Sequence, residues 1–196
     1  VKKAKLRREL RLARRSLTSA DHALRSARAA ASIERMAAFK TGARIAIYLP
    51  FDHETRPLAL ISAARRRGVR LYVPVVSDLR HRRLKFHPLT GPTRPGTFGI
   101  RVPTRHGTPV EPRWFDLIVV PLVGVDATGR RLGMGGGFYD RALTFRRTRR
   151  YWMGPLLVGL AFDCQCVADI QADPWDVRLD CLVTESRVVH FPKAIP

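Results

Sequence analysis

Apolar and polar positions change period several times along the chain, and those changes divide it into elements. In "VKKAKLRRELRLARRSL" three of the four leucines, Leu6, Leu10 and Leu17, fall at helical spacing among cations. That is amphipathic spacing, and it predicts a helix over about Lys2 to Leu17. A second helical pattern is expected from about Ser19 to Phe39, with Thr18 as its N-cap and Asp21 three residues on, like a capping box with a shorter acid. The period then shortens. "ARIAIYLP", Ala43 to Pro50, is a β-branched apolar run, "PLALISAARRRG" reads as a helix stopped at Gly68, and "VRLYVPVV" is another strand. Strand, helix and strand at this spacing predict a βαβ unit.

From Ser77 to Arg113 the chain is rich in Pro, Gly, Thr and Arg, with one short strand candidate at "LKFHPL", so loops and edge elements are expected. Order returns at "FDLIVVPLVGVD", read as a single apolar strand. A glycine stretch follows, then a helix from Tyr139 to Arg150, a strand at "LLVGLAF", and one or two strands in "DCLVTESRVVHF". Near-continuous apolar strands alternating with helices predict an α/β fold in three layers, its mainly parallel or mixed sheet covered by helices on both faces.

A length of 196 residues predicts a single domain over 1–196, able to bury roughly 70% of the surface that its unfolded chain exposes. No apolar run approaches the roughly 18 residues of a membrane span, so no membrane partner is expected. Three cysteines cannot all pair within the chain, and no apolar secretory core precedes the first helix, which together point to a reducing, cytoplasmic setting. The Arg-rich start also fits a mitochondrial presequence, although the leucine spacing favours a packed helix. A net charge of +20 draws anions whatever the fold. It leaves nucleic acid, nucleotide, polyacidic small molecules and a merely solvated surface all open.

"GRRLGMGGGFYDRAL", Gly129 to Leu143, carries the most chemistry. Gly133, Gly135, Gly136 and Gly137 lack a β-carbon, so their N–H groups can approach phosphate oxygen closely, and a helix is expected to follow. Arg130, Arg131 and Arg141 are nearby cations. The stretch lacks the Gly-Lys-Ser/Thr ending of a Walker loop, and Phe138 takes the place of the last glycine in a dinucleotide fingerprint. Composition alone leaves a structural turn and a phosphate loop balanced.

The complete string, Gly-x-Arg-Leu-Gly-x-Gly-x-Gly-aromatic-Tyr-Asp-Arg, resembles the ATP-binding signature of the 5-formyltetrahydrofolate cyclo-ligases, or methenyltetrahydrofolate synthetases. "KAKLRRELRLARRSLT", "YLPFDHETRPL", "GLAFDCQCV" and "DVRLDCLVTE" resemble other segments of that family, in the same order. The resemblance implies ATP-dependent closure of 5-formyltetrahydrofolate to 5,10-methenyltetrahydrofolate by a monomer in the cytoplasm. ATP is the co-substrate and Mg2+ the metal, and a basic rim would attract the polyglutamate tail that folates carry.

The same resemblance implies ATP contacts from Lys3, Ala4, Lys5, Leu6 and Arg7, and from Arg131, Leu132, Gly133, Met134, Gly135, Gly136, Gly137, Phe138 and Tyr139. Substrate contacts are implied for Arg7, Leu49, Glu54 and Met134 to Phe138, with Leu49 as an apolar wall and Glu54 as acceptor for pterin N–H groups. Asp140 and Asp176 are implied as magnesium carboxylates, with Asp180 competing for the second role. Met134, Phe138 and Arg56 depart from common family forms. Two other readings compete: a basic nucleic-acid-binding protein, which lacks aromatics within its basic segments, and a relative that binds ATP without folate activity.

Overall fold

The computed structural model describes residues 2–148 and 154–192. Helix α1, Lys2–Arg15, is followed by α2, Ser19–Glu34. Thr18 caps α2: its Oγ1 accepts from the Asp21 N–H at 3.1 Å, and its hydroxyl donates to the Asp21 carboxylate at 2.8 Å. Aspartate is a methylene shorter than glutamate, so the acid meets the hydroxyl where a full capping box would reach the backbone N–H. α2 stops before the expected Phe39. Phe39 instead enters the core from a turn, its N–H donating to the Met36 carbonyl.

Strand β1, Arg44–Ala46, helix α3, Ala59–Arg67, and strand β2, Arg70–Asp78, form the predicted βαβ unit, with β1 and β2 parallel and Ile45 opposite Leu71. Gly68 ends α3 at φ +64°, a left-handed C-cap that glycine adopts without β-carbon strain. Strand β3, Arg83–Pro88, lies antiparallel on β2. The Pro- and Gly-rich middle adds a hairpin, β4, Thr93–Pro95, with β5, Arg101–Pro103.

The run read as one strand divides in two. β6, Leu117–Pro121, belongs to the main sheet, whereas β7, Gly124–Asp126, enters a small second sheet with β8, Arg131–Leu132, and β10, Cys166–Val167. An unbroken apolar run cannot reveal this change of sheet, because both halves are buried. Helices α4, Phe138–Ala142, and α5, Phe145–Thr148, replace the expected single helix, whose last residues lie outside those described. Buried Leu143 interrupts it at φ −101°, ψ 8°. The chain continues through β9, Leu156–Leu160, β11, Cys181–Val183, and β12, Val188–His190.

The seven-stranded sheet runs β12-β11-β9-β6-β1-β2-β3. Its inner pairs are parallel and its two edge pairs antiparallel. On one face Ile45, Leu71, Val119 and Val158 pack beneath Ala29 and Ile33 of α2 and Leu60 and Ala63 of α3. On the other, Ile118, Val120 and Leu157 meet Leu143, Phe115 and Phe191. Helices thus lie on both faces, as the apolar strands require, but the second cover is short helices and loops. Among the described residues no helix is long and apolar enough to cross a membrane.

Candidate active site

α1 supplies one wall of the site because its apolar face is fixed to the small sheet. Leu6 and Leu10 pack with Val123, Leu132 and Ile170, and a β-carbon at Gly124 would lie 2.5 Å from Leu10 Cδ1. Gly124 thus lets Leu10 lie close to the backbone of β7. Residues three and four apart share a helix face, so Lys3, Arg7, Arg11 and Arg14 form a cationic stripe beside that apolar one. Lys3 Nζ reaches Asp173 Oδ2 at 2.5 Å and Asp176 Oδ2 at 3.6 Å. Arg7 Nε donates to the Gly133 carbonyl at 2.8 Å. Ala4 and Lys5 face solvent, Lys5 lying 3.9 Å from Glu9, so the structure does not bring these two predicted contacts to the cleft.

The glycine stretch leaves β8 and turns into α4. Leu132 anchors it in the core, while Met134 stands 47% exposed. Gly135 and Gly137 have φ of +98° and +67°, a region costly for residues with a β-carbon. A β-carbon at Gly136 would meet the Phe138 ring at 2.9 Å, and one at Gly135 would lie 3.7 Å from the Arg7 guanidinium. Around Gly133 the space is open. The helix that follows has five residues, so its dipole adds little to anion binding, and side-chain cations matter more. Arg7 is one. Arg82, at the β2–β3 turn, is another: its Nη1 lies 3.6 Å from a β-carbon built at Gly137.

Arg131 is buried and faces inward. Its Nη1 donates to the Val177 carbonyl and its Nη2 meets Asp140 Oδ1 at 2.5 Å. The Val177 N–H also reaches Asp140 Oδ1, at 3.3 Å, which sets Asp140 beside the backbone of Asp176. Asp176 Oδ2 accepts from the Asp173 N–H at 2.9 Å. Asp180 is occupied elsewhere, by Arg146 at 2.6 Å and the Leu157 N–H at 2.8 Å. Of the two competing carboxylates, only Asp176 adjoins Asp140.

The turn after β1 packs against the second half of α1. Leu49 is buried in the sheet core, and Tyr48 donates its hydroxyl to the Thr55 carbonyl at 2.5 Å. Glu54 accepts from the Phe51 N–H at 3.1 Å. Burial raises the Glu54 carboxyl to about 7, against the opposing pull of that N–H and of Arg14. Burial also raises the Tyr139 and Tyr48 hydroxyls, with the charge of Glu54 next in importance for both, so the three groups lie within one electrostatic environment. The Tyr139 hydroxyl, Arg14 Nε and Thr55 Oγ1 are buried without hydrogen-bond partners. Leaving such groups unpaired is costly. Phe98 meets Phe138 edge-on at 6.3 Å, and a β-carbon at Gly99 would lie 3.7 Å from Phe51. The β4–β5 turn thus forms an aromatic rim to the cleft.

A model of the 5-formyltetrahydrofolate cyclo-ligase family matches residues 1–185. The chain belongs to the 5-formyltetrahydrofolate cyclo-ligase family. The Haemophilus influenzae 5-formyltetrahydrofolate cyclo-ligase is 35% identical over 191 residues, covering 93% of this chain and 97% of that protein. The Escherichia coli K12 cyclo-ligase is 37% identical over 148 residues, covering 74% and 79%. The NMR structure of Aquifex aeolicus 5,10-methenyltetrahydrofolate synthetase superposes with a TM-score of 0.81 at 28% identity, covering 100% of this chain and 96% of that one.

For a cyclo-ligase family member, the structure adds residues that the sequence reading does not single out: Arg11, Arg14, Tyr48, Asp52, Arg82 and Phe98. The periodic arginines of α1 are visible in the sequence, but their partners are not. Three of the arginines that suggest nucleic acid, Arg11, Arg14 and Arg15, are turned onto Asp52.

Proposed function

We propose that the protein converts 5-formyltetrahydrofolate to 5,10-methenyltetrahydrofolate while ATP becomes ADP and phosphate. The observation that carries this reading is the cleft itself. A glycine loop lined by Arg7 and Arg82 faces a half-buried carboxyl, Glu54, in one electrostatic environment with Tyr139 and Arg14, and the unpaired polar atoms of Tyr139, Arg14 and Thr55 are buried nearby. A pterin presents adjacent N–H donors and a carbonyl acceptor, which complement an ionised Glu54 and the donors beside it. Leu49 closes the apolar side, and Phe98 and Phe138 offer faces to the flat rings.

The chemical difficulty is that a formyl oxygen leaves poorly. In the proposed course the formyl oxygen attacks the γ-phosphorus and the bond to ADP breaks. N10 then attacks the formyl carbon and gives up its proton to solvent, and phosphate carries the oxygen away as the N5–C–N10 bridge closes. The protein's part is positioning and neutralising charge. Arg7, hydrogen-bonded to the Gly133 carbonyl, sets a cation at the loop, and the open space around Gly133 leaves room for the phosphates beside it. Leu6 and Lys3 fix α1 beside them.

Mg2+ commonly takes one or two carboxylates with phosphate oxygens and water, and would there neutralise phosphate charge. Asp140 and Asp176 suit this role. Each has one oxygen already bonded and the other without a hydrogen bond among the described residues. Among those residues no three His, Cys, Asp or Glu side chains form a cage for a metal, so phosphate would complete the donor set.

Purified protein given ATP, Mg2+ and 5-formyltetrahydrofolate is expected to generate the absorbance of the conjugated methenyl product. Absence of any ATP-dependent change would overturn the proposal. Thermal stabilisation by ATP but not by folate would point instead to a nucleotide-binding relative.

A further inference from the structure

Asp52 lies two residues before Glu54, and α1 grips it. Arg11 donates from Nε at 2.9 Å and approaches through Nη2 at 2.7 Å, both to Oδ2. Arg15 donates to Oδ1 from Nε at 3.1 Å and also from Nη2. Buried Arg14 donates to the Asp52 carbonyl at 2.5 Å. Burial alone would raise the Asp52 carboxyl, but the Arg15 and Arg11 hydrogen bonds hold it below the ordinary carboxylate range.

The clamp coincides with an unusual backbone. Asp52 and His53 have φ of +48° and +59° in succession, a conformation that side-chain-bearing residues hold only when their surroundings impose it. The turn is closed by the Glu54 N–H donating to the Phe51 carbonyl at 3.0 Å and by the Phe51 N–H reaching the Glu54 carboxyl. His22 of α2 supports the next residue, its Nε2 lying 3.0 Å from the His53 carbonyl. Asp52 is the residue of this turn whose side chain ties it to α1.

We propose that Asp52 is a positioning residue: by fastening the Phe51–Glu54 turn to the second half of α1, it holds the Glu54 carboxyl in the folate pocket. This inference rests on the folate role given to Glu54 above. It confines the action of Asp52 to the folate side, because Lys3 and Arg7 at the other end of α1 are held by Asp173 and the Gly133 carbonyl.

The test is a double-mutant cycle on the full chain, with KM for 5-formyltetrahydrofolate, KM for ATP and the melting temperature read for Asp52→Ala, Asp52→Asn, Glu54→Gln and their pairs. Asparagine tolerates the left-handed region, so Asp52→Asn removes the anion without adding backbone cost and serves if the alanine variant does not fold. Each Asp52 variant is expected to raise KM for folate about tenfold or more while KM for ATP stays within about twofold. In the Glu54→Gln background the same substitution should add less than about twofold, since Asp52 acts through Glu54. If Glu54→Gln raises KM for folate but Asp52 variants leave it unchanged, or raise it equally in both backgrounds, the positioning role is overturned. If Glu54→Gln itself leaves KM for folate unchanged, the folate reading of Glu54 falls, and the inference with it.

Discussion

Glu54→Gln should make the protein more stable as it makes it a poorer enzyme, and the gain should depend on pH. The carboxyl stands at about 7 in the fold against an ordinary 4.5. Below pH 4.5 both folded and unfolded forms are protonated, and the group contributes nothing. Between the two values the unfolded chain has released its proton while the fold retains it. Stability therefore falls as pH rises, then levels off above about 7. At roughly 1.4 kcal/mol per pH unit, ionising Glu54 costs the fold on the order of 3 kcal/mol at pH 8 and less than about 1 kcal/mol at pH 5. Glutamine cannot ionise, and its amide oxygen can still accept from the Phe51 N–H. Urea titrations of parent and variant at pH 5 and pH 8 measure the effect directly, and at about 2–4 °C per kcal/mol the variant should melt about 6–12 °C higher at pH 8. An equal gain at both pH values, or a loss at pH 8, would refute a carboxyl held protonated by burial.

The same group predicts that KM for 5-formyltetrahydrofolate falls as pH rises through about 7, because the ionised form is the better acceptor for pterin N–H groups; a flat profile in the parent would exclude it. Arg7→Ala should raise the ATP and folate requirements together, since its guanidinium lies against Gly135, by about tenfold for a lost charged hydrogen bond; unchanged values for both would make it a solvated helix residue. Asp140→Asn should raise the Mg2+ requirement and also cost stability, on the order of 3 kcal/mol, because buried Arg131 loses its anion; a Mg2+ titration and a melting curve read the two effects separately. Gly135→Ala, at φ +98°, should cost about 1–2 kcal/mol of backbone strain and weaken ATP use, measured by melting and by KM for ATP.

How much of this was legible follows from what a local pattern can encode. Helix faces, the Thr18 cap, the Gly68 stop and the βαβ unit depend on neighbours within a few residues, and they appear as read. The division of Phe115 to Asp126 between two sheets was not legible. Apolarity records burial without recording in which sheet, and the partners that define the second sheet, β8 and β10, lie further along the chain. α2 was overextended for a related reason, since Phe39 fits a helical stripe while reaching the core from a turn. At the site, the glycine string marked a loop whose positive φ angles at Gly135 and Gly137 favour glycine. It could not show that Arg131 would turn inward onto Asp140 and Val177, or that Arg82 would arrive from a hairpin in the stretch read as loops and edge elements.

The long-range ion pairs make the sharper case. The repeat of Lys3, Arg7, Arg11 and Arg14 is fully visible in the sequence, yet as a pattern it fits a nucleic-acid helix as well as a cleft wall. What decides between them is where the acids lie: Asp173 is 170 residues from Lys3, and Asp52 is 41 from Arg11. Those separations are bridged only once α1 is seated by its leucines on the small sheet. The raised carboxyl of Glu54 follows the same logic, because a shift caused first by burial is a property of what packs around the residue. Sequence can nominate such a group by type and motif. Only the fold can bury it, and burial is what makes its proton sensitive to a ligand at neutral pH.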